Sequence, residues 1–90
     1  MDNKTLYSKL LKDPTAQLIV AIEELAELQK ELTKTLRGHQ NTQHILEEIV
    51  DVEIMLEQLK LLFSLSQEDI NIQKELKLKR VEQRLKQNNL

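Results

Sequence analysis

Pro14 and Gly38 are the only proline and the only glycine in the chain, so strong helix breakers stand at just two positions. Proline is favoured in the first turn of a helix, because it has no amide proton to leave unpaired, and glycine readily takes the left-handed conformation that ends one. No strand-like alternation appears elsewhere, and a core would consist mostly of Leu and Ile, since Tyr7 and Phe63 are the only aromatic residues. The sequence therefore predicts an all-α fold.

Start and stop signals predict four helices. Asp13 is a favourable cap for the second helix, and Gly38 ends that helix. Asn41 or Thr42 caps the third helix. Ser66 caps the fourth, which begins with acidic residues and ends with Lys and Arg, as the helix dipole favours. The expected helices cover about residues 5–11, 14–36, 43–63 and 67–87 of a single domain spanning residues 1–90.

The loop between the second and third helices is short, so we expect these helices to form an antiparallel hairpin. A turn centred near residues 39–40 places Glu27 level with Val52 and Glu31 level with Glu48. Acidic side chains of the two helices therefore meet at one level of the hairpin.

Two apolar arcs run along the third helix. The smaller arc contains Val50, Ile54 and Leu61. The larger is a heptad seam, which is expected to pack against a partner helix. Together they call for more neighbours than one short chain supplies, so we expect a homo-oligomer that completes a four-helix-type bundle. The seam consists of Ile45, Ile49, Val52, Leu56, Leu59 and Phe63.

Charge is segregated along the chain. Residues 1–12 carry three lysines against one acid, and residues 67–90 carry six basic side chains against four acids, a net of +2 for each flank. Residues 13–66 carry ten acids against four bases, a net of −6. Glu48 and Asp51 are predicted to point inward from the third helix. Because removing a carboxylate from water is costly, something positive is expected to meet them.

Four acids on the hairpin are spaced i and i+3, so that each pair projects the same way. They are Glu24 with Glu27 and Glu48 with Asp51. Carboxylate oxygens without cysteine select hard cations such as Mg²⁺ or Mn²⁺. Carboxylate sites with two metal ions usually handle phosphates. For the second helix alone, an ordinary solvated acidic face is the alternative interpretation.

The acids lie in two motifs, EELAE at residues 23–27 and EIVD at residues 48–51, with twenty residues between them. This arrangement resembles the EExxE and ExxD signature of the MazG-like all-α nucleoside triphosphate pyrophosphohydrolases, a superfamily that includes dimeric dUTPases and dCTP pyrophosphatases. The resemblance covers about half the chain. It implies that water attacks the α-phosphorus of an NTP or dNTP and releases a monophosphate and pyrophosphate. It also implies homodimers or homotetramers. The implied ligands of Mg²⁺, with Mn²⁺ as a possible substitute, are Glu24, Glu27, Glu48 and Asp51.

The resemblance also implies supporting roles. Glu23 lies about 100° around the helix from Glu24, which suits a residue that supports the site or positions water. Glu31 is a similar candidate. The implied catalytic set is Glu23, Glu24, Glu27, Glu48 and Asp51.

Basic residues on the second helix are candidates for binding phosphate, because they lie along the helix toward the loop. Ion pairs with Glu27 and Glu31 explain the same residues equally well. Further candidates for binding phosphate, on the fourth helix, are Lys79, Arg80 and Arg84. The alternative interpretation is that they belong to a solvated helix end. The candidates on the second helix are Lys30, Lys34 and Arg37.

Base selectivity is left open by the sequence. Relatives selective for dCTP or dUTP place aromatic side chains near the base, whereas this chain offers only two. Phe63 continues the heptad seam and is expected in the core. Tyr7, on the short first helix, can serve either purpose.

The same sequence features bear on other functions. A non-enzymatic helical interaction module is the main alternative, because heptads, high charge and few aromatics are typical of one. A di-iron bundle needs Glu-x-x-His on two helices, but only one reversed motif is present, from His44 to Glu47. His39 and His44 are predicted to be exposed. A net charge of −2 gives no reason to expect a nucleic-acid partner.

Location is predicted from what the chain lacks. The longest apolar run covers residues 18–22, far short of the roughly 20 residues that span a bilayer. Residues 1–4 are polar and unlike a signal peptide. Without cysteine, nothing indicates an oxidising compartment. We expect a cytoplasmic protein with no membrane partner.

Overall fold

A computed structural model describes residues 1–88, and within them the chain forms four α-helices and no strand. The predicted all-α architecture is confirmed. Each helix begins and ends within two residues of the limits expected from the sequence. Across residues 1–88, no helix combines the length and the apolar character needed to cross a membrane. The helices are α1 (Asn3–Leu10), α2 (Pro14–Leu36), α3 (Thr42–Leu62) and α4 (Gln67–Gln87).

Side-chain caps fix the start of two long helices. The Asp13 carboxylate accepts a hydrogen bond from the Ala16 backbone N–H over 3.1 Å, and the Ser66 hydroxyl oxygen accepts one from Asp69 N–H over 3.1 Å. Asn41 occupies the capping position of α3 without making a side-chain cap. Its side chain turns toward α2 instead, which leaves α3 with the weakest start of the long helices.

Left-handed residues end α2 and α3. Gly38 has φ +89°, and the N–H of the following His39 donates to the Lys34 carbonyl over 3.1 Å, the long bond of a Schellman motif. Ser64 has φ +54° and ends α3 in the same way. This conformation is unstrained for glycine and strained for serine, because only serine carries a Cβ.

The hairpin of α2 and α3 is the one pair of helices in residues 1–88 that packs along its length. Its core is small. The buried apolar side chains include Ala21 of α2 with Val52 and Met55 of α3. Two polar side chains, Glu31 and Gln58, are buried with them. The α2–α3 interface is therefore partly polar, with an apolar centre and a charged group near the turn.

The heptad seam of α3 is only partly covered within residues 1–88. Val52 is buried, but Ile49 and Leu56 are exposed. The expectation that Phe63 lies in the core is wrong for this chain, since its side chain is 59% exposed. The reason is geometric, because the seam runs along one side of the α2–α3 contact and Phe63 caps the end of α3.

Exposed apolar side chains of both helices lie on the same side of the hairpin. They stand roughly 100° around each helix from the contact line, and in an antiparallel pair the same rotation leads to the same side. No other element of residues 1–88 packs extensively against this side. We call it the hairpin face. It consists of Ile22, Leu25 and Leu32 of α2 with Ile49 and Leu56 of α3.

The outer helices differ in how they are held. Tyr7 of α1 is buried, and its hydroxyl donates a 2.5 Å hydrogen bond to the Glu57 carboxylate of α3. This contact places Tyr7 at the α1–α3 junction. In α4, only Ile70 is partly buried, and residues 71–88 are all exposed.

Candidate metal-binding site

Three of the predicted carboxylates converge between α2 and α3. Glu24, Glu48 and Asp51 each offer an oxygen, and these oxygens all lie within 4.8 Å of one another. The i, i+3 spacing on α3 places Glu48 and Asp51 on one face, and the packing of α2 adds Glu24. Asp51 is exposed, whereas Glu24 and Glu48 are partly buried. The cluster, called here the acidic trio, is therefore open to solvent from one side.

The trio has no basic counterpart among the described residues. No lysine, arginine or histidine within residues 1–88 forms an ion pair with any of the three. Burial raises the pKa of Glu24 above its ordinary value, and the neighbouring charges of Asp51 and Glu48 raise that pKa further. The Oε2 atom of Glu48 is buried without a hydrogen-bond partner. The arrangement thus holds negative charge that its own chain does not offset.

The donor set fits a hard divalent cation. Two oxygens bound to one Mg²⁺ stand at most about 4.2 Å apart, since each bond is roughly 2.1 Å long. No separation in the trio exceeds this limit by more than about 0.6 Å, a distance that rotation of a glutamate side chain covers. A cation would also give the orphaned Glu48 oxygen a partner. The exposure of Asp51 would leave coordination positions for water or phosphate oxygens.

Glu27 and Glu23 lie outside the trio. Both side chains are exposed on α2. Glu27 is three residues from Glu24 and therefore stands about 60° off its direction, away from α3. The structure thus brings together three of the four predicted metal ligands and leaves the fourth on the adjacent surface.

Basic residues of α2 are distributed along its surface. Lys34 forms an ion pair with Glu31 over 3.3 Å, which is the alternative that the i, i+3 spacing allowed. Lys30 and Arg37 are exposed. The candidates on α4, Lys79, Arg80 and Arg84, are exposed as well.

Glu31 is held by a separate network at the turn of the hairpin. The Asn41 Nδ2 atom donates to the Glu31 carboxylate over 2.6 Å and to the Glu31 backbone carbonyl over 2.9 Å. His44 Nδ1 lies 3.8 Å from the same carboxylate, with a side chain that is 66% exposed. The hydrogen bond from Asn41, aided by Lys34, holds the pKa of Glu31 below its ordinary value. This carboxylate is satisfied within the chain and fastens the loop. Sequence reasoning missed it, because Asn41 looked like a helix cap.

Comparisons with protein-family models, with curated proteins and with solved structures find no match for this chain. The features of the chain that indicate a function are the acidic trio, the hairpin that assembles it and the exposed apolar side chains of the hairpin face.

Proposed function

We propose that the protein is a Mg²⁺-dependent nucleoside triphosphate pyrophosphohydrolase, with Mn²⁺ as a possible substitute, that acts in the cytoplasm on an NTP or dNTP. The convergence of Glu24, Glu48 and Asp51 carries the proposal. Two short motifs far apart in sequence supply these residues, and they meet without a basic partner in the described chain.

In the proposed reaction, a water oxygen attacks the α-phosphorus and the bond from that phosphorus to the bridging oxygen breaks. A nucleoside monophosphate and pyrophosphate result. Bound Mg²⁺ would neutralise phosphate charge and lower the pKa of water. The trio would hold the cation. Glu23 and Glu27, which are exposed on α2 outside the trio, would position water or share a second ion.

Positive charge for the remaining phosphates would come from basic side chains. Lys30 and Lys34 lie on α2, and Arg37 follows its last residue. The hairpin face supports an oligomeric enzyme, a homodimer or a homotetramer, in which the hairpins of different copies form a four-helix-type bundle. Apolar side chains that a single chain leaves in water would be buried there.

The test is pyrophosphate release by the purified protein with Mg²⁺, across a panel of canonical and modified NTPs and dNTPs. The variant Glu48→Gln/Asp51→Asn is expected to lose all turnover, because it removes two thirds of the charge of the trio. Glu53→Gln is the matched control, since Glu53 is an exposed acid on the same helix. It should retain wild-type activity. Calorimetric titration should show Mg²⁺ and Mn²⁺ binding to the wild type and to Glu53→Gln, and none to Glu48→Gln/Asp51→Asn.

A non-enzymatic interaction module is the second candidate, and the exposed apolar side chains of the hairpin face favour it. The two functions differ in what the trio does. An interaction module would show no turnover with any nucleotide and no metal binding, and its assembly would be unchanged in the Glu48→Gln/Asp51→Asn variant. That combination of results would overturn the enzymatic proposal.

A further inference from the structure

Helix α4 carries an apolar stripe that no other part of residues 1–88 covers. Leu78, Val81 and Leu85 follow one another at helical spacing, and their side chains are 59%, 48% and 47% exposed. The helix is 21 residues long. Isolated helices of such length are marginal in water, because most helix stability in proteins comes from packing an amphipathic face. We call these three residues the α4 stripe. Packing of the stripe against another apolar surface would stabilise the helix.

The whole chain exposes more surface than a folded monomer of its mass. Its accessible area is 7492 Å², whereas a compact monomer of 10.6 kDa is expected to expose about 5,500 Å². The excess of about 2,000 Å² is enough for an obligate interface, in which each partner buries roughly 1,000 Å² or more. A second copy of the chain, rather than a small ligand, matches an excess of this size.

A receiving surface lies on α3. Val50, Ile54 and Leu61 are 45%, 39% and 45% exposed. They form the smaller apolar arc of α3, on the side of the hairpin opposite the hairpin face. Glu47 and Glu57 flank the arc on either side. Glu57 also accepts the hydrogen bond from Tyr7 of the same chain, so α1 borders the arc at that end. We call this surface the outer arc.

Charge on α4 complements the outer arc. Lys77, Arg80 and Arg84 line a shallow groove beside the stripe, and no ion pair within residues 1–88 engages them. We propose that α4 of one copy docks on α3 of a second copy, with the α4 stripe on the outer arc and these cations beside Glu47 and Glu57. Within one chain α4 does not pack along its own α3.

The test uses three variants of the full chain, each of which adds one carboxylate. Two of them lie on the two proposed surfaces, and the third is a control. Val81→Asp places a carboxylate on the stripe, and Ile54→Asp places one on the outer arc. Gln83→Asp is the matched control, because Gln83 lies on the opposite side of α4 and is exposed. Light scattering after size-exclusion chromatography gives the mass, and far-ultraviolet circular dichroism gives the helical content.

Wild type and Gln83→Asp are expected to form the same assembly. Val81→Asp and Ile54→Asp should each weaken it at least about tenfold in Kd, because each would place a charged, hydrated group in the apolar contact, and should lose helical signal from the 21 residues of α4. The proposal is overturned if both variants match Gln83→Asp in mass and helicity. It is also overturned if the wild type is a monomer at every concentration.

A fourth variant tests the proposed charge pairing and leaves the apolar contacts unchanged. Arg80→Glu/Arg84→Glu changes two exposed side chains, so the hairpin fold is not at risk. Assembly should weaken, and the loss should be larger at low salt than at high salt, because salt screens surface charges. Assembly equal to that of the wild type at low salt would contradict the pairing with Glu47 and Glu57.

Discussion

Replacing Glu24 by glutamine is expected to stabilise the metal-free protein. Glu24 faces Glu48 and Asp51 with carboxylate oxygens within 4.8 Å, and no basic side chain of the described chain is paired with them. Glutamine keeps the size and shape of the side chain and removes its charge. Two of the three repulsive pairs in the trio therefore disappear.

The magnitude follows from the separation. At 4.8 Å, two unit charges repel by about 0.9 kcal/mol in water and by about 3.5 kcal/mol at the effective dielectric of a protein surface. Asp51 is exposed, so the lower value is appropriate. Removing two pairs then gives about 2 kcal/mol, which for a domain of this size raises Tm by at least about 8 °C.

The assay is urea and thermal unfolding at pH 8 in low salt with a chelator, followed by circular dichroism. Glu27→Gln is the matched control, since it makes the same change of charge on the same helix at an exposed position outside the trio. Because the pKa of Glu24 is raised in the folded state, wild-type stability should fall as the pH rises from about 4.5 through that raised pKa. The Glu24→Gln variant should not show this loss.

Three results would refute the reasoning. The first is a Glu24→Gln variant no more stable than Glu27→Gln at pH 8. The second is a difference between the two variants that persists unchanged in 1 M salt, where the screening length is about 3 Å. The third result concerns the cation. Added Mg²⁺ is expected to stabilise the wild type more than it stabilises Glu24→Gln. Equal responses to Mg²⁺ would remove Glu24 from the metal site.

The remaining predictions concern the ends of the hairpin helices. Gly38→Ala should destabilise the fold by about 1 kcal/mol in urea unfolding, purely through φ +89°, because a Cβ there meets no atom within 4 Å. Unchanged stability would contradict this. Ser64→Gly should stabilise by up to about 1 kcal/mol by relieving the left-handed serine, and a loss of stability would count against it. Glu31→Gln should lower the stability of the protein at neutral pH. Because the pKa of Glu31 is lowered in the folded state, the difference in stability from the wild type should shrink as the pH falls below about 4.5. A difference that stays constant with pH would show that the charge of Glu31 is not its cause.

Helix limits were predictable because local chemistry sets them. The Asp13 and Ser66 caps form as expected, and Gly38 takes the left-handed conformation that ends α2. Each of these signals acts within a few residues of the chain. No tertiary information was needed to place them.

Packing was less predictable, because a hydrophobic pattern gives the apolar side of a helix and not the chain that covers it. Phe63 shows this limit, since its heptad position is apolar and yet exposed. At the candidate site, turn symmetry placed Glu31 level with Glu48, but the acid of α2 that meets Glu48 is Glu24. The symmetry could not tell that Glu24 and Glu31, seven residues apart, would share the contact side of α2 while Glu27 would turn outward. That choice depends on how α2 is rotated against α3.

Tyr7 gives the protein a single optical reporter. It is the only tyrosine, and the sequence contains no tryptophan, so near-ultraviolet absorbance and fluorescence arise almost entirely from one ring at the α1–α3 junction. Its hydrogen bond to Glu57 raises the pKa of the phenol above its ordinary value, so the junction is favoured below about pH 10 and weakened as the pH rises through the raised pKa. An alkaline spectrophotometric titration would therefore report on the α1–α3 junction, with no added label.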